Sequence, residues 1–382
     1  MKIALSTLGK FHSFDLAREM HSRGALTAIF SGYPWFKLKH ERLPRKSVKT
    51  FPFLHAPYMR FAPSFTPARL MWEWQDKEWF DRYVASRLGS CDVFCGLSGS
   101  GLRSGRVAQS RGAKYVCDRG SSHIRVQDRI LREEYRHRGI AFSGIDPRVI
   151  EREEAEYQLA DVITVPSTFA FDSFVGSGVP RKKLRLAPYG VDLSAFYPCA
   201  PRSDSSFHIL FVGGISIRKG INYLLEAFEK LNCKRKRLTL VGSVLPELQE
   251  LVAGLRRDSR INVTGHVPQQ KLKEFMSRSH VMVLPSVEDG LGLVQAQAMA
   301  CGCPVIASQN TGAYDLFTDG REGFIVPIRD SGAIADRLQT LADDRELRIR
   351  MSDAALQRVK TLGGWERYGE TMYKIFSEAV AS

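Results

Sequence analysis

Residues 281–300 read Val281-Met282-Val283-Leu284-Pro285-Ser286-Val287-Glu288-Asp289-Gly290-Leu291-Gly292-Leu293-Val294-Gln295-Ala296-Gln297-Ala298-Met299-Ala300. The apolar run at 281–284 has the length and β-branching of a buried strand. A polar, glycine-bearing turn follows, and the small and apolar residues from 293 to 300 predict a helix. Strand, glycine turn and helix in that order form the unit from which open parallel sheets are built, and ligands of such sheets bind where the strands end. Glu288 and Asp289 therefore face a cleft. Gly290 and Gly292 permit close backbone contact there. Gln297 lies about one turn into the helix, and its amide can donate to and accept from a diol. The same pattern also fits a plain helix start with acids at its positive end.

A second unit lies upstream in Val212-Gly213-Gly214-Ile215-Ser216-Ile217-Arg218-Lys219-Gly220. Glycines let the backbone approach a phosphate, a helix N-terminus supplies free N–H groups, and Arg218 and Lys219 add full charges. A tight turn with solvated basic residues reads equally well from spacing alone. Outward from these units the alternation continues. Short apolar runs at 3–6, 26–30, 93–97, 115–118, 162–166 and 184–187 precede runs at 208–212, 238–241, 261–263, 305–307 and 324–326. Amphipathic stretches separate most of them, which predicts an α/β protein with two doubly wound, Rossmann-like domains. The expected linker is 189–206, giving domains at 1–192 and 193–362 and a terminal helix at 363–382.

A chain of 382 residues suits two domains, and 44% hydrophobic with 25% charged residues excludes disordered and collagen-like chains. Seven scattered cysteines make no disulfide framework and point to a reducing, cytoplasmic compartment. The start reads as a first strand rather than a signal peptide. Of the net charge of +14, residues 1–192 carry +11, and the first 69 carry +9. An anionic partner is expected for the first half. Residues 33–69 join basic side chains to aromatics such as Tyr33, Trp35, Phe36, Phe51, Phe53, Tyr58 and Phe65, and read as a long loop with one or two short helices. They suit an anionic membrane surface or a lipid-linked acceptor as well as an internally packed loop. No recognition motif supports nucleic acid.

The second half resembles the nucleotide-sugar-binding domain of retaining GT-B glycosyltransferases of family 4, most densely over 209–328. The resemblance rests on Gly213, Lys219-Gly220, the block from Pro285-Ser286 through Cys301-Gly302-Cys303-Pro304-Val305, and Tyr189-Gly190-Val191-Asp192. It implies two domains facing a central cleft. Lys219 pairs with the donor diphosphate on this likeness. The family usually has an arginine where this chain has Gly214, so Arg218 or backbone N–H groups take that part. The family's two glutamates fall on Asp289, at the donor sugar, and Gln297, at the ribose. Glu288 competes for the sugar contact. Leu291, Gly292, Leu293 and Val294 offer backbone near the phosphates, and Val267, in Gly265-His266-Val267-Pro268, belongs to the loop that holds the base.

In the first half, Gly9-Lys10-Phe11-His12 occupies the place of the family's glycine loop under the donor. Lys10, His12 and Arg119 are acceptor-side candidates. The likeness maps the histidine that touches the transferred sugar onto His123, in Cys117-Asp118-Arg119-Gly120-Ser121-Ser122-His123. Catalytic roles then fall on His123, Asp289 and Lys219. No Asp-x-Asp or His/Cys cluster has metal-ligand spacing, and no metal or other obligatory cofactor is expected.

The expected activity is transfer of a hexose, with retention, from a UDP- or GDP-sugar to a hydroxyl of a glycan or lipid-linked acceptor, as in cell-surface polysaccharide or glycolipid synthesis. The expected location is the cytoplasm, peripheral on the membrane face. The alternatives are a non-catalytic nucleotide- or glycan-binding protein of the same fold and a basic membrane-surface protein. The likeness also brings the last helix back onto the first domain as part of a hinge.

Overall fold

The computed structural model describes residues 1–61 and 67–382. Seven strands form the first sheet: β1 (Ile3–Thr7), β2 (Leu26–Ser31), β3 (Val48–Thr50), β4 (Val93–Leu97), β5 (Lys114–Asp118), β6 (Val162–Val165) and β7 (Leu184–Leu186). Six form the second: β8 (Phe207–Val212), β9 (Lys236–Val241), β10 (Ile261–Gly265), β11 (Val281–Leu284), β12 (Val305–Ser308) and β13 (Gly323–Val326). Their orders are β3-β2-β1-β4-β5-β6-β7 and β10-β9-β8-β11-β12-β13, with parallel pairing in both. The two doubly wound domains expected from the sequence are therefore present. Their central strands are largely apolar because helices cover both faces of such sheets; all four residues of β11 are buried.

Strand order reverses between β1 and β4 in one sheet and between β8 and β11 in the other. At such a reversal the connections leave to opposite faces and open a crevice beyond the strand ends. The loops after β1, β8 and β11 emerge there, and they carry Gly9, Lys219 and Glu288–Asp289.

Helices from each domain tie the two together. Helix Trp365–Ala381 follows the second domain but packs on helix Ser13–Ser22 of the first, with Met372, Ile375 and Phe376 joining the core around Phe14, Leu16 and Met20. Helix Ile124–His137 belongs to the first domain, yet Ile130 and Tyr135 join the core of the second.

The sequence reading of 33–69 as a loop with short helices is too sparse. Helices Trp35–Leu38 and Pro52–Phe61 are joined by β3, an edge strand on β2 that buries Val48 and exposes Lys49. Three residues give too short a run for alternation to register. Residues 62–66, with Phe65, lie outside the described residues. Helices Leu102–Ser110, Ile124–His137 and Arg345–Leu362 also carried no sequence expectation. The first holds a glycine, charged residues outnumber the apolar ones in the second, and the third has a weak apolar stripe.

Phe376 is fully buried where the last helix meets the first domain. Phe376→Ala is expected to cost roughly 3–5 kcal/mol by leaving a cavity there. Thermal and denaturant unfolding measure this, and a loss below about 1 kcal/mol would mean that the helix contributes little to the closed arrangement.

Candidate functional site

The loop after β8 and the loop after β11 are joined before any side chain is considered. Val287 N–H donates to the Arg218 carbonyl at 2.9 Å, and Asp289 N–H ties the second of these loops to the Asn310 carbonyl, after β12, at 2.9 Å. Gly220 begins helix Ile221–Lys230 with φ of 68°. A side chain there would collide with the Pro285 carbonyl, so only glycine brings this helix start against the β11 loop.

Two ion pairs then cross between these loops. Lys219 Nζ pairs with Asp289 Oδ2, both side chains being largely buried. The Arg218 guanidinium pairs with Glu288 Oε2 at 3.0 Å. The structure thus brings together Arg218, Lys219, Glu288 and Asp289. Gly213 lies at the end of β8, and Gly214 has Leu245 Cδ1 at 3.4 Å from where a Cβ would stand. Leu291 is buried, Gly292 N–H donates to the Thr311 carbonyl at 3.0 Å, and Leu293 caps helix Val294–Ala300. Gln297 is buried on that helix, and Val267 packs partly buried on the second domain's core.

Glu288 is the unexpected member. Its carboxylate has no solvent exposure and reaches across to the first domain. Ser121 and Ser122 hydroxyls donate to Oε1 at 2.6 and 2.8 Å, the Ser122 N–H at 3.2 Å, and the Gln127 amide to Oε2 at 3.0 Å. Burial alone raises this carboxyl. Arg218 and the Ser121, Ser122 and Gln127 donors outweigh it and hold the group at about 2. Beside it, Gly290 lies so close to Gly120 that a Cβ would collide with the Gly120 carbonyl. Ser167 Oγ donates to the Gly290 carbonyl, and Thr168 donates to Asp315 at 2.9 Å from N–H and 2.6 Å from Oγ1. A second cross-domain cluster sits at buried Glu134, which accepts from Tyr223 at 2.9 Å and Arg329 Nε at 2.7 Å.

Most of the first-domain candidates have partners of their own. His12 Nε2 lies 2.6 Å from Asp118 Oδ2, and its ring stacks on Tyr189 with centroids 4.2 Å apart. Gly9 is buried, while exposed Lys10 turns to Glu41. Arg119 is not free for an acceptor: it is buried, pairs with Glu153 at 2.7 Å, and bonds the Ser122 carbonyl at 3.0 Å and Gln127 Oε1 at 2.8 Å. It therefore holds the turn and the amide that grip Glu288. His123 is the N-cap of helix Ile124–His137, its Nδ1 accepting from Arg125 N–H at 3.3 Å. Tyr157 and Phe174 enclose the ring, with centroids about 5 Å away, and burial lowers its pKa to about 4. Its ring is thus neutral, with one nitrogen committed to the backbone. Ser121, Ser122 and Gln127 carried no role from the sequence. Two hydroxyls directly after a strand were the available signal.

Glycosyl transferases group 1 is the family whose model matches, over residues 206–344. The D-inositol 3-phosphate glycosyltransferase of Pseudarthrobacter chlorophenolicus is 30% identical over 62% of this chain and 61% of its own length. The chain thus matches under two thirds of that relative. Among solved structures, sucrose-phosphate synthase of Thermosynechococcus elongatus superposes with a TM-score of 0.78 and 22% identity, over 100% of this chain and 99% of the other. HepE of Anabaena in complex with UDP-glucose gives a TM-score of 0.71 at 17% identity, over 99% of this chain and 100% of the other.

Glu288 has its carboxyl depressed from an ordinary 4.5 to about 2 in the folded protein, so its stabilising contribution is full above pH 4.5 and is lost as pH falls toward 2. Glu288→Gln is expected to lower stability by roughly 2–3 kcal/mol at neutral pH. The gap between variant and wild type should narrow through that acid window. Equal melting of the two proteins at pH 7 would remove Glu288 from the interdomain contact. Sheet order, cleft position and sequence match agree: residues 206–344 form a domain of the glycosyl transferases group 1 family, set in a chain with the two-domain GT-B fold.

Proposed function

We propose that this chain is a glycosyltransferase that moves a hexose from a UDP- or GDP-sugar to a hydroxyl of a glycan or lipid-linked acceptor, with retention at the anomeric carbon. The observation that carries the reading is the Lys219–Asp289 pair, set between two helix starts at the strand reversal of the second sheet. A diphosphate seated there meets Lys219, Arg218 and the N–H groups of Leu291, Leu293 and Val294, where cations and helix starts stabilise a leaving anion. Lys219 moving onto the diphosphate frees Asp289 to accept from sugar hydroxyls. Gln297 suits the ribose diol, and Val267 the base. The printed names of similar proteins support this reading: one is a D-inositol 3-phosphate glycosyltransferase and another was solved with UDP-glucose.

In this reaction the acceptor oxygen forms a bond to the anomeric carbon on the face from which the diphosphate departs. The bond from that carbon to the phosphate oxygen breaks, and the acceptor proton passes to a diphosphate oxygen. The protein supplies position and charge rather than a nucleophile or a metal. His12, stacked on Tyr189 at the reversal of the first sheet, serves the acceptor, and Gly9 lies under the donor. Neutral, enclosed His123 serves the transferred sugar through the Ser121–Ser122 turn it adjoins. Phe36, Phe53, Met59 and Met71 are exposed on the basic first domain, which suits a peripheral site on an anionic membrane face. Among the described residues, no helix is long and apolar enough to cross a membrane.

The test is a panel of UDP- and GDP-sugars, read by thermal stabilisation and by release of nucleoside diphosphate. One donor should give both signals, and Lys219→Ala should lower kcat/KM by about 10²-fold or more. Unchanged turnover in that variant would refute the site, and stabilisation without release, even with polyprenyl-pyrophosphate or glycan acceptors, would favour a binding protein. For the membrane, sedimentation with phosphatidylglycerol vesicles should fall with added salt and with Phe36→Ser/Phe53→Ser. Binding that both leave unchanged would place the contact elsewhere.

A further inference from the structure

The second domain has a cavity of about 340 Å³ on the side away from the cleft. Its wall joins His280, just before β11, Gly302, just before β12, and the first turns of helix Arg345–Leu362. These are the starting ends of the strands, whereas Lys219 and Asp289 follow the finishing ends. A strand of 4–6 residues, on the order of 13–20 Å, separates the two.

Three guanidinium groups line this cavity, those of Arg202, Arg345 and Arg348, against one carboxylate, Asp204. Only Arg345 reaches it, at 3.3 Å, and both side chains are exposed. Arg202 bonds Ser352 Oγ at 3.2 Å and the Gly302 carbonyl, and its Nε is buried without a partner. Arg348 bonds the carbonyls of Leu341 and Ala342, so among the described residues neither it nor Arg202 has a carboxylate partner. The cluster is electrostatically unbalanced. Burial, with Arg345 and Arg202, lowers the Arg348 pKa against the opposing pull of Asp204 and Asp344, and burial, with Arg348, Arg202 and His208, takes His280 down to about 4 against Asp204. His280 Nδ1 accepts from His208 N–H at 3.0 Å, which places the neutral ring's proton on Nε2 as a further donor.

We propose that this cavity is a binding site for a small phosphomonoester, held by Arg202, Arg345 and Arg348 and separate from the donor cleft. Three guanidinium groups against one carboxylate leave a net charge of +2, which matches a phosphate dianion, and guanidinium forks match its oxygens. The volume is sufficient for a phosphorylated monosaccharide. The site does not depend on the chain being a transferase.

Isothermal titration of the full chain with inorganic phosphate and with glucose 6-phosphate tests this. At least one should bind with Kd below about 1 mM, and Arg345→Gln/Arg348→Gln should weaken it about tenfold or more. Lys219→Ala should leave it unchanged, which separates this site from anion capture in the cleft. Arg345→Gln alone, at an exposed head group, supplies a variant that keeps the fold and should weaken binding in the same direction. Tighter binding of the hexose phosphate assigns a sugar phosphate, and equal binding assigns the phosphate group alone. No binding by either ligand up to about 10 mM, or equal binding by the folded double variant, overturns the proposal.

Discussion

Glu288 places a charge, fully removed from water, between two domains. Such a group is tolerated only where donors surround it, and here they come from both sides: Arg218 from the second domain, and Ser121, Ser122 and Gln127 from the first. The arrangement around the cleft follows from that requirement. The Ser121–Ser122 turn must be rigid, and Arg119, itself buried against Glu153, bonds the Ser122 carbonyl and the Gln127 side-chain oxygen. Gly290 must have no side chain, because Gly120 fills the space one would occupy. Separating the domains would strip three donor residues from the carboxylate at once. The closed arrangement is therefore specified by geometry as well as by apolar contact.

Much of this was legible in the sequence. Most strands are apolar runs four to six residues long, and the glycine-bearing turns after β8 and β11 mark the strand ends where a cleft forms. Lys219 and Asp289 stood out as candidates because each lies in a glycine-bearing turn between a strand and a helix and because the family likeness falls on both. What could not be read is who meets whom. Ser121 and Glu288 are 167 residues apart and join only when two separately folded domains close. Helix Ile124–His137 was hidden for a related reason. Its many charges hide an apolar stripe that is spent on the other domain, through Ile130 and Tyr135. Arg119 stood out as a cation following a strand and His123 through the family likeness alone; in the structure Arg119 pairs with Glu153 and His123 caps helix Ile124–His137.

Glu288 and Asp289 are neighbours in sequence with divided tasks. The first carboxylate is committed to Arg218 and the first domain, the second to Lys219. A group drawing Lys219 away releases Asp289, whose backbone N–H stays fixed to the Asn310 carbonyl. The loop can thus exchange a side-chain partner without moving its main chain. Glu288 spans the domains, while the Asp289 carboxylate stays with Lys219. The pair with Lys219 and the interdomain contact are thereby joined through a single peptide bond. A substitution at either residue should be felt at the other, and energies at the two sites should not add.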